Sequence, residues 1–285
     1  MIRPAFHIDR ESPTEDDYLQ SMLLMEINPQ GFSYLVLQQV RQEVLDAKCY
    51  ALPGTDGKNL SERVKAIIES DEVLQNQFRQ SVILYNFPEA LLVPVSAFHL
   101  EINRELVELS YGTVAKGLIL SEKIPGQPVH NVYRVTPDVH SLFQQKFNAG
   151  KYWHIYSLWL SALKNYPPET TPDQPQIHVL FYPDKMLVGV FKDGQLQLVQ
   201  TYLYQVAEDV VYHLLNICNQ LNISPEEVLL VISGYAQDDS ALLSEIRKYF
   251  LHCVGDQVPQ TFSSEVFSPL PLHFFSPLLK MALCV

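Results

Sequence analysis

Several things are scarce or missing in this 285-residue sequence, and each absence removes a class of protein. Cysteine is rare: Cys49, Cys218, Cys253 and Cys284 lie far apart with no Cys-x-x-Cys spacing, so neither a zinc site nor a disulfide framework is expected. Basic charge is short as well, with 20 Lys and Arg against 32 Asp and Glu and a net charge of −12. Its densest basic group is the pair Arg247-Lys248, and so acidic a chain repels a phosphate backbone, which argues against nucleic acid as a partner. No window approaches the roughly 20 apolar residues of a membrane helix. The opening "MIRPAFHIDRESPTEDD" has no apolar core of signal-peptide length. A reduced, cytoplasmic protein without a membrane partner is the expectation. Catalytic signatures are missing too: His-Glu-x-x-His, Gly-x-Ser-x-Gly and the Gly-x4-Gly-Lys-Ser/Thr loop are all absent. His252 and Cys253 adjoin at what reads as a helix end, where neighbouring side chains diverge, so they make a poor nucleophile–base pair.

What remains is an ordinary globular composition, 47% hydrophobic and 18% charged, with enough chain for one large or two modest domains. The first half opens with "YLQSMLLMEI", the turn Asn28-Pro29-Gln30-Gly31, "FSYLVLQQV" and "LDAKCYAL", short apolar runs that read as an antiparallel meander. In "LSERVKAIIESDEVLQNQF", Val64, Ile67, Ile68 and Leu74 recur at helical spacing, with Ser61 as the expected N-cap. "SVILYNF" and "ALLVPV" are strand-like. "SAFHLEINRELVELS" reads as a helix with Phe98, Ile102, Leu106 and Leu109 on one stripe. A strand-rich middle, Val114 to Val135, leads to helical segments near Pro137–Phe147 and at "IYSLWLSALKNY". "PPETTPDQP", residues 167–175, carries four prolines and no apolar side chain, and marks a linker.

Beyond it the order repeats. "QIHVLFY", Pro183-Asp184-Lys185, "MLVGVF", Lys192-Asp193-Gly194 and "QLQLVQTYLY" form a second meander, and Lys-Asp-Gly is a strong hairpin signal. A long helix follows, with Val206, Val210, Leu214, Ile217 and Leu221 in register, then the strand "VLLVIS" and the helix "DSALLSEIRKYF", with Asp238-Asp239 as a capping pair ahead of Ser240. Each half therefore runs β-β-β-α-β-α. The expected fold is α/β, two ribonuclease H-like subdomains with mixed five-stranded sheets, at residues 1–166 (with inserted strands) and 167–285.

A duplicated unit of this order with a proline-marked crossover resembles the actin-like ATPase fold of actin, Hsp70, sugar kinases and bacterial actin-like pilus-assembly proteins. More narrowly, the chain resembles an uncharacterised Bacteroidetes family, a domain of unknown function with that architecture. "LLVPVSAF" resembles the strand-plus-helix entry of the first subdomain, and "LWLSALKNY" the helix leading into the second. "FFSPLLKMALC" resembles the last helix, which the resemblance places at 276–284, returning to the interface between subdomains. The resemblance implies a nucleotide cleft with phosphate loops. In place of the first loop stands "EINPQGFS", with Glu26 at the acid position and Asn28-Pro29 where glycine is usual; proline has no N–H to offer a phosphate. The second loop is "FYPDKMLVGVF", with Asp184 its only acid. The entry to the following helix, "TYLYQVAEDVV", lacks glycine. The adenosine turn is "VISGYAQDD", where Ser233 and Gly234 match in part but Tyr235 follows.

Glu26, Asp184, Ser233 and Gly234 are thus vestigial cleft positions, and each also has a plain structural explanation. Asp184 is a common turn residue, Glu26 sits on an alternating strand and is read as facing solvent, and Ser233-Gly234 serves a tight bend. The aromatic groups Tyr152, Trp153, Tyr156, Trp159 and Tyr202, Tyr204, Tyr212 read as core. Phe262, Phe267, Phe274 and Phe275, in a proline-rich tail, are the better candidate for docking on another chain or on the first half. The leading expectation is a non-enzymatic scaffold that needs no cofactor and binds a protein partner or itself. One alternative is a divergent ATP-dependent phosphotransferase or ATPase using ATP and Mg, with Glu26 and Asp184 around the metal. The other is a small-molecule binding module in the cleft between domains.

Overall fold

The computed structural model describes residues 3–9, 13–52, 54, 59–113, 117–169, 171, 174–237, 239–262 and 271–285. The chain divides into two compact units, Met1–Ser161 with Val285, and Ala162–Cys284.

The second unit is the simpler. Strands β10 (Gln176–Phe181), β11 (Lys185–Lys192), β12 (Gln195–Leu203), β13 (Leu229–Gly234) and β14 (His252–Gly255) form one sheet in the order β12-β11-β10-β13-β14. The first three strands are antiparallel, and β13 and β14 join in parallel. Asp193 and Gly194 both take positive φ (52° and 68°), which gives the β11–β12 hairpin the turn that its Lys-Asp-Gly sequence foretells. Ile177, Val179 and Phe181 alternate onto the face covered by helix α6 (Ala207–Leu221), through Val210, Leu214 and Ile217, and by α7 (Ala241–Ile246), through Leu243 and Ile246. Asn222 closes α6 in the left-handed conformation, and the Lys192 ammonium donates to the Leu221 carbonyl at 3.0 Å, a cation at the helix's negative end. The N-cap of α7 is Ser240, whose hydroxyl accepts the Leu243 N–H, rather than the acidic pair ahead of it; Asp239 is exposed beside it, and Asp238 lies outside the described residues. His252 and Cys253 are not on a helix: α7 stops at Ile246, and both residues belong to β14, paired with Leu229 and Leu230. The C-terminal helix α8 (Ser276–Ala282) packs on β13.

The first unit repeats this order with additions. Strands β2 (Met22–Asn28), β3 (Gly31–Gln38), β4 (Glu43–Ala51), β5 (Gln80–Tyr85) and β9 (Lys151–His154) stand in the order β4-β3-β2-β5-β9, again antiparallel for three and parallel for two. A sixth strand, β1 (Phe6–Asp9), extends the sheet by pairing antiparallel with β4. "YLQS" is not part of the meander: Tyr18 lies in the short helix α1 (Glu15–Leu19), closed by a reciprocal Thr14–Asp17 cap. Helix α2 (Leu60–Ser70) starts at Asn59, not Ser61, because the Asn59 carboxamide takes the Glu62 N–H while Glu62 returns to the Asn59 N–H. Alongside α2 runs α4 (Pro137–Lys146), buried through Val139, Leu142 and Phe143.

Between β5 and β9 a separate antiparallel sheet is inserted, β6 (Ala90–Pro94), β7 (Leu118–Lys123) and β8 (Val129–Val135) in the order β6-β8-β7. "LLVPV" belongs to this insert rather than to the main sheet. Its helix corrects part of the expected stripe as well: Phe98 and Leu106 pack partly buried against the insert's core, but Leu109 does not. Two 3₁₀ turns precede α3 (Asn103–Tyr111), which is buried through Asn103 and Val107, while Leu109 is 86% exposed. Val93, Val107 and Val132 form the small core of the insert. Val114 to Lys116 lie outside the described residues. Helix α5 (Ile155–Asn165) follows β9 directly. No helix among the described residues is long and apolar enough to cross a membrane.

Candidate functional site

In open sheets with parallel strands, ligands gather where the strands end. In the second unit those ends belong to β10 and β13, and they bring Asp184, Ser233 and Gly234 into one neighbourhood. Ser233 is buried and its hydroxyl donates to the Val179 carbonyl of β10 at 3.1 Å, which ties two strands together. Gly234 has φ +79°, and a Cβ there would stand 2.3 Å from the Phe181 carbonyl oxygen, so only glycine fits. The Tyr235 N–H donates to that carbonyl at 2.9 Å. Tyr235, 42% exposed, meets Phe274 with ring centroids 4.4 Å apart and Tyr182 at 6.2 Å. Asp184 is half-buried in the β10–β11 turn next to exposed Pro183, and its carbonyl accepts the Tyr204 N–H. Burial, then the nearby Asp184 charge, pushes the Tyr204 hydroxyl up to about 12. Lys185 is buried, with its ammonium 5.3 Å from the centre of the Tyr182 ring.

In the first unit the equivalent ends are those of β2 and β5. Glu26 does not face solvent as its alternation suggested: it is 5% exposed, because β2 lies between β3 and β5 and is covered on both faces. The Asn86 carboxamide donates to its Oε1 at 2.7 Å. The β2–β3 turn is a two-residue hairpin over Pro29-Gln30, in which the Asn28 side chain accepts the Gln30 N–H at 2.9 Å.

Three buried polar clusters escaped the sequence reading. In the second unit the Lys280 ammonium donates to Asp256 Oδ1 at 2.6 Å, and the Ser276 hydroxyl donates to Oδ2 at 2.7 Å, which fastens α8 to the loop after β14. His273 donates to the Ala236 carbonyl, joining the same helix end to the bend after β13. His178, on the strand beside them, is wholly buried, and burial pushes it down to about 4, so it stays neutral.

In the first unit Asp71, at the end of α2, accepts the hydroxyls of Tyr34 (3.0 Å) and Tyr50, the Lys48 ammonium (3.1 Å) and the Val73 N–H (3.0 Å). Burial and the adjacent carboxylates push both tyrosine hydroxyls well above their ordinary range. The third cluster sits where α5 begins. Glu122 accepts the Tyr133 hydroxyl at 2.9 Å, the His154 N–H at 2.8 Å and the Ser157 hydroxyl. Burial nevertheless pushes its carboxyl up to about 7, the range in which a carboxyl can carry a proton near neutral pH. Residues 122, 133, 154 and 157 come from four elements at irregular spacing, so no motif could have joined them.

An open groove of about 350 Å³ lies between α2 and α4, lined by Ser61, Lys65, Glu69, Asp138 and Lys146 among others. Lys146 pairs with Glu69 across it, Lys65 pairs with the same Glu69 along α2, and the groove lacks the apolar enclosure typical of ligand sites. No group of three or more potential metal ligands occurs among the described residues. Of the aromatic groups, Trp159 and Tyr156 are buried, Tyr212 is 66% exposed rather than core, and Phe267 lies outside the described residues.

Comparison with solved structures supports this architecture. A protein from Bacteroides thetaiotaomicron, described as having an actin-like ATPase fold and unknown function, aligns over 86% of this chain and 94% of its own, with a TM-score of 0.75 and 14% identity. A chain of the PilM–PilN type IV pilus biogenesis complex aligns over 92% of this chain and 96% of its own, at TM-score 0.55 and 12% identity. The fold is therefore that of the actin-like ATPases. No curated protein matches the sequence at a significant level. The family described as "Protein of unknown function (DUF3822)" matches residues 13–253, most of the chain, and the chain belongs to that family.

Proposed function

We propose that this protein is a non-catalytic member of the actin-like fold, a scaffold that works by binding another protein chain. The observation that carries this reading is the bend after β13, where Tyr235 lies against Tyr182 and Phe274 and side chains occupy the space beside the strand ends. The turns at Asn28-Pro29 and Pro183-Asp184 agree with it, since neither offers the run of glycine N–H groups that wraps a phosphate. Ser233 has its hydroxyl committed to Val179, and Gly234 is explained by its contact with Phe181. The PilM–PilN complex provides a precedent for the fold inside a protein–protein assembly. Titration calorimetry with Mg-ATP and Mg-ADP tests the reading: no binding heat is expected, and micromolar affinity accompanied by turnover would overturn it. The rival ATPase reading makes the opposite forecast, that Glu26→Ala with Asp184→Ala abolishes that binding.

A further inference from the structure

The insert of the first unit hangs on two short connections, residues 86–89 on the way in from β5 and Thr136 on the way out to α4, and its own buried core is Val93, Val107 and Val132. Polar groups fasten it to the junction of β9 and α5. Glu122 of β7 accepts the His154 N–H at 2.8 Å, the Tyr133 hydroxyl at 2.9 Å and the Ser157 hydroxyl. In return the His154 Nε2–H donates to the Phe87 carbonyl at 2.9 Å while Nδ1 accepts the Tyr156 N–H, the pattern of a neutral imidazole. Among the described residues, no cation holds Glu122. Asn131 and Tyr133 approach it from β8, His154 from β9 and Ser157 from α5, with the Tyr85 ring of β5 beside Tyr133 and the Tyr156 ring against His154. Lys123, next to it on β7, is exposed and alternates to the opposite face.

Ionised, Glu122 is a half-buried charge held by neutral donors alone, which is why its carboxyl keeps a proton to about 7. An acceptor for that proton stands beside it. Asn131 is the direct cross-strand partner of Glu122, so their side chains share one face of the insert's sheet. Asn131 Nδ2 donates to Ser157 Oγ at 3.3 Å, whereas its buried Oδ1 has no hydrogen-bond partner. A half turn of that amide reverses the chain of bonds: the Glu122 carboxyl donates its proton to Ser157 Oγ, and the Ser157 hydroxyl donates to Asn131 Oδ1. We propose that Glu122, Ser157 and Asn131 form a proton-operated latch, which holds the insert against the β9–α5 junction when Glu122 is protonated and lets that joint open when it is ionised. Opening gives the carboxylate to water, where it binds a proton with its ordinary, weaker affinity. The closed joint is therefore favoured in acid and loses that advantage as pH rises through 7.

The His154 N–H is bonded to Glu122 itself and so reports on the joint. Amide hydrogen exchange of the full chain, followed by NMR and corrected for the intrinsic effect of pH, gives its protection factor, with the Leu24 amide of central strand β2 as the reference in the same unit. Between about pH 5.5 and 8, protection of His154 is expected to fall roughly 25-fold. At both pH values it should also lie at least about tenfold below that of Leu24, because the joint opens without unfolding the main sheet. Glu122→Gln cannot ionise, and its His154 amide should show no such fall. Three results would overturn the latch: a wild-type His154 whose protection ignores pH, one that exchanges only as fast as Leu24, or a fall that persists in Glu122→Gln. Should that variant not fold, the wild-type profile decides alone, since Leu24 separates local opening from unfolding of the unit.

Discussion

Both sheets run three antiparallel strands into two parallel ones, yet the two units finish that plan with different materials. At the end of the fourth strand the second unit has Gly234, pressed against the Phe181 carbonyl. The first unit has at the matching place Tyr85, fully buried, with its hydroxyl 2.7 Å from His140 Nδ1. The backbone bond beyond is the same in both, Tyr235 N–H to Phe181 and Asn86 N–H to Ile27, each 2.9 Å. One backbone path is thus held by close main-chain contact in one unit and by a large side chain in the other. The duplicated architecture conserves the hydrogen-bonded frame and leaves the filling free to diverge, which explains why no residue-level repeat links the halves.

The sharpest way to break this comparison is at those two positions. Gly234→Ala combines a positive φ with a Cβ 2.3 Å from the Phe181 oxygen, and should cost about 3–5 kcal/mol in urea unfolding. Tyr85→Phe removes only the bond to His140 and should cost about 1 kcal/mol. Equal costs would show that the bends are not held as described.

The two lysine–aspartate anchors give a somewhat smaller contrast. Lys280→Met leaves Asp256 buried with the Ser276 hydroxyl as its remaining side-chain donor in the cluster, an expected loss of about 3–4 kcal/mol. Lys48→Met leaves Asp71 still holding two tyrosine hydroxyls and an N–H, and about 1–2 kcal/mol is expected. Thermal melts of the two variants in parallel would reveal a reversed order.

Glu122 belongs to the first unit alone, and its effect appears on changing pH. Its carboxyl is raised from 4.5 to about 7, so between those values the folded chain holds the proton that the unfolded chain has released. Stability therefore falls as pH rises from about 4.5 through 7 and then levels, by roughly 3 kcal/mol. Glu122→Gln should flatten that stretch of the melting profile, and an unchanged slope would show that the proton resides elsewhere.

Legibility from sequence followed the same divide. In the second unit the hairpin at Asp193-Gly194 and the α6 stripe at Val210, Leu214 and Ile217 are local signals, and each element appears where its residues place it, except that Val206, read as the first of the stripe, is the exposed N-cap of α6. In the first unit the expected stripe on α3 holds only in part: Phe98 and Leu106 pack partly buried against the insert's core, but a small sheet offers little surface to bury, so Leu109 turns outward and Asn103 and Val107 turn in. Strands β1 and β9, four residues each, are too short for any periodicity to show. Glu26 was misread for a related reason. Alternation assigns a face, but a central strand covered on both sides has no solvent face to give. Asp184 lies in the turn expected of it, whereas Ser233 and Gly234 are the last two paired residues of β13 and the bend begins beyond them; the partners that define their surroundings, Val179, Phe181 and Tyr204, emerge only once the sheet is assembled.

The insert between β5 and β9 also sets a clock. To add its fifth strand, the second unit closes only residues 235–251 between β13 and β14, whereas the first must bring β9 back to β5 across residues 86–150. Long-range closure carries the larger entropic cost and slows assembly, although the insert's own strands shorten the effective span as they pair. During refolding, amide protons of β14 should become protected before those of β9. The half of the chain that is made first is then the half whose main sheet is finished last.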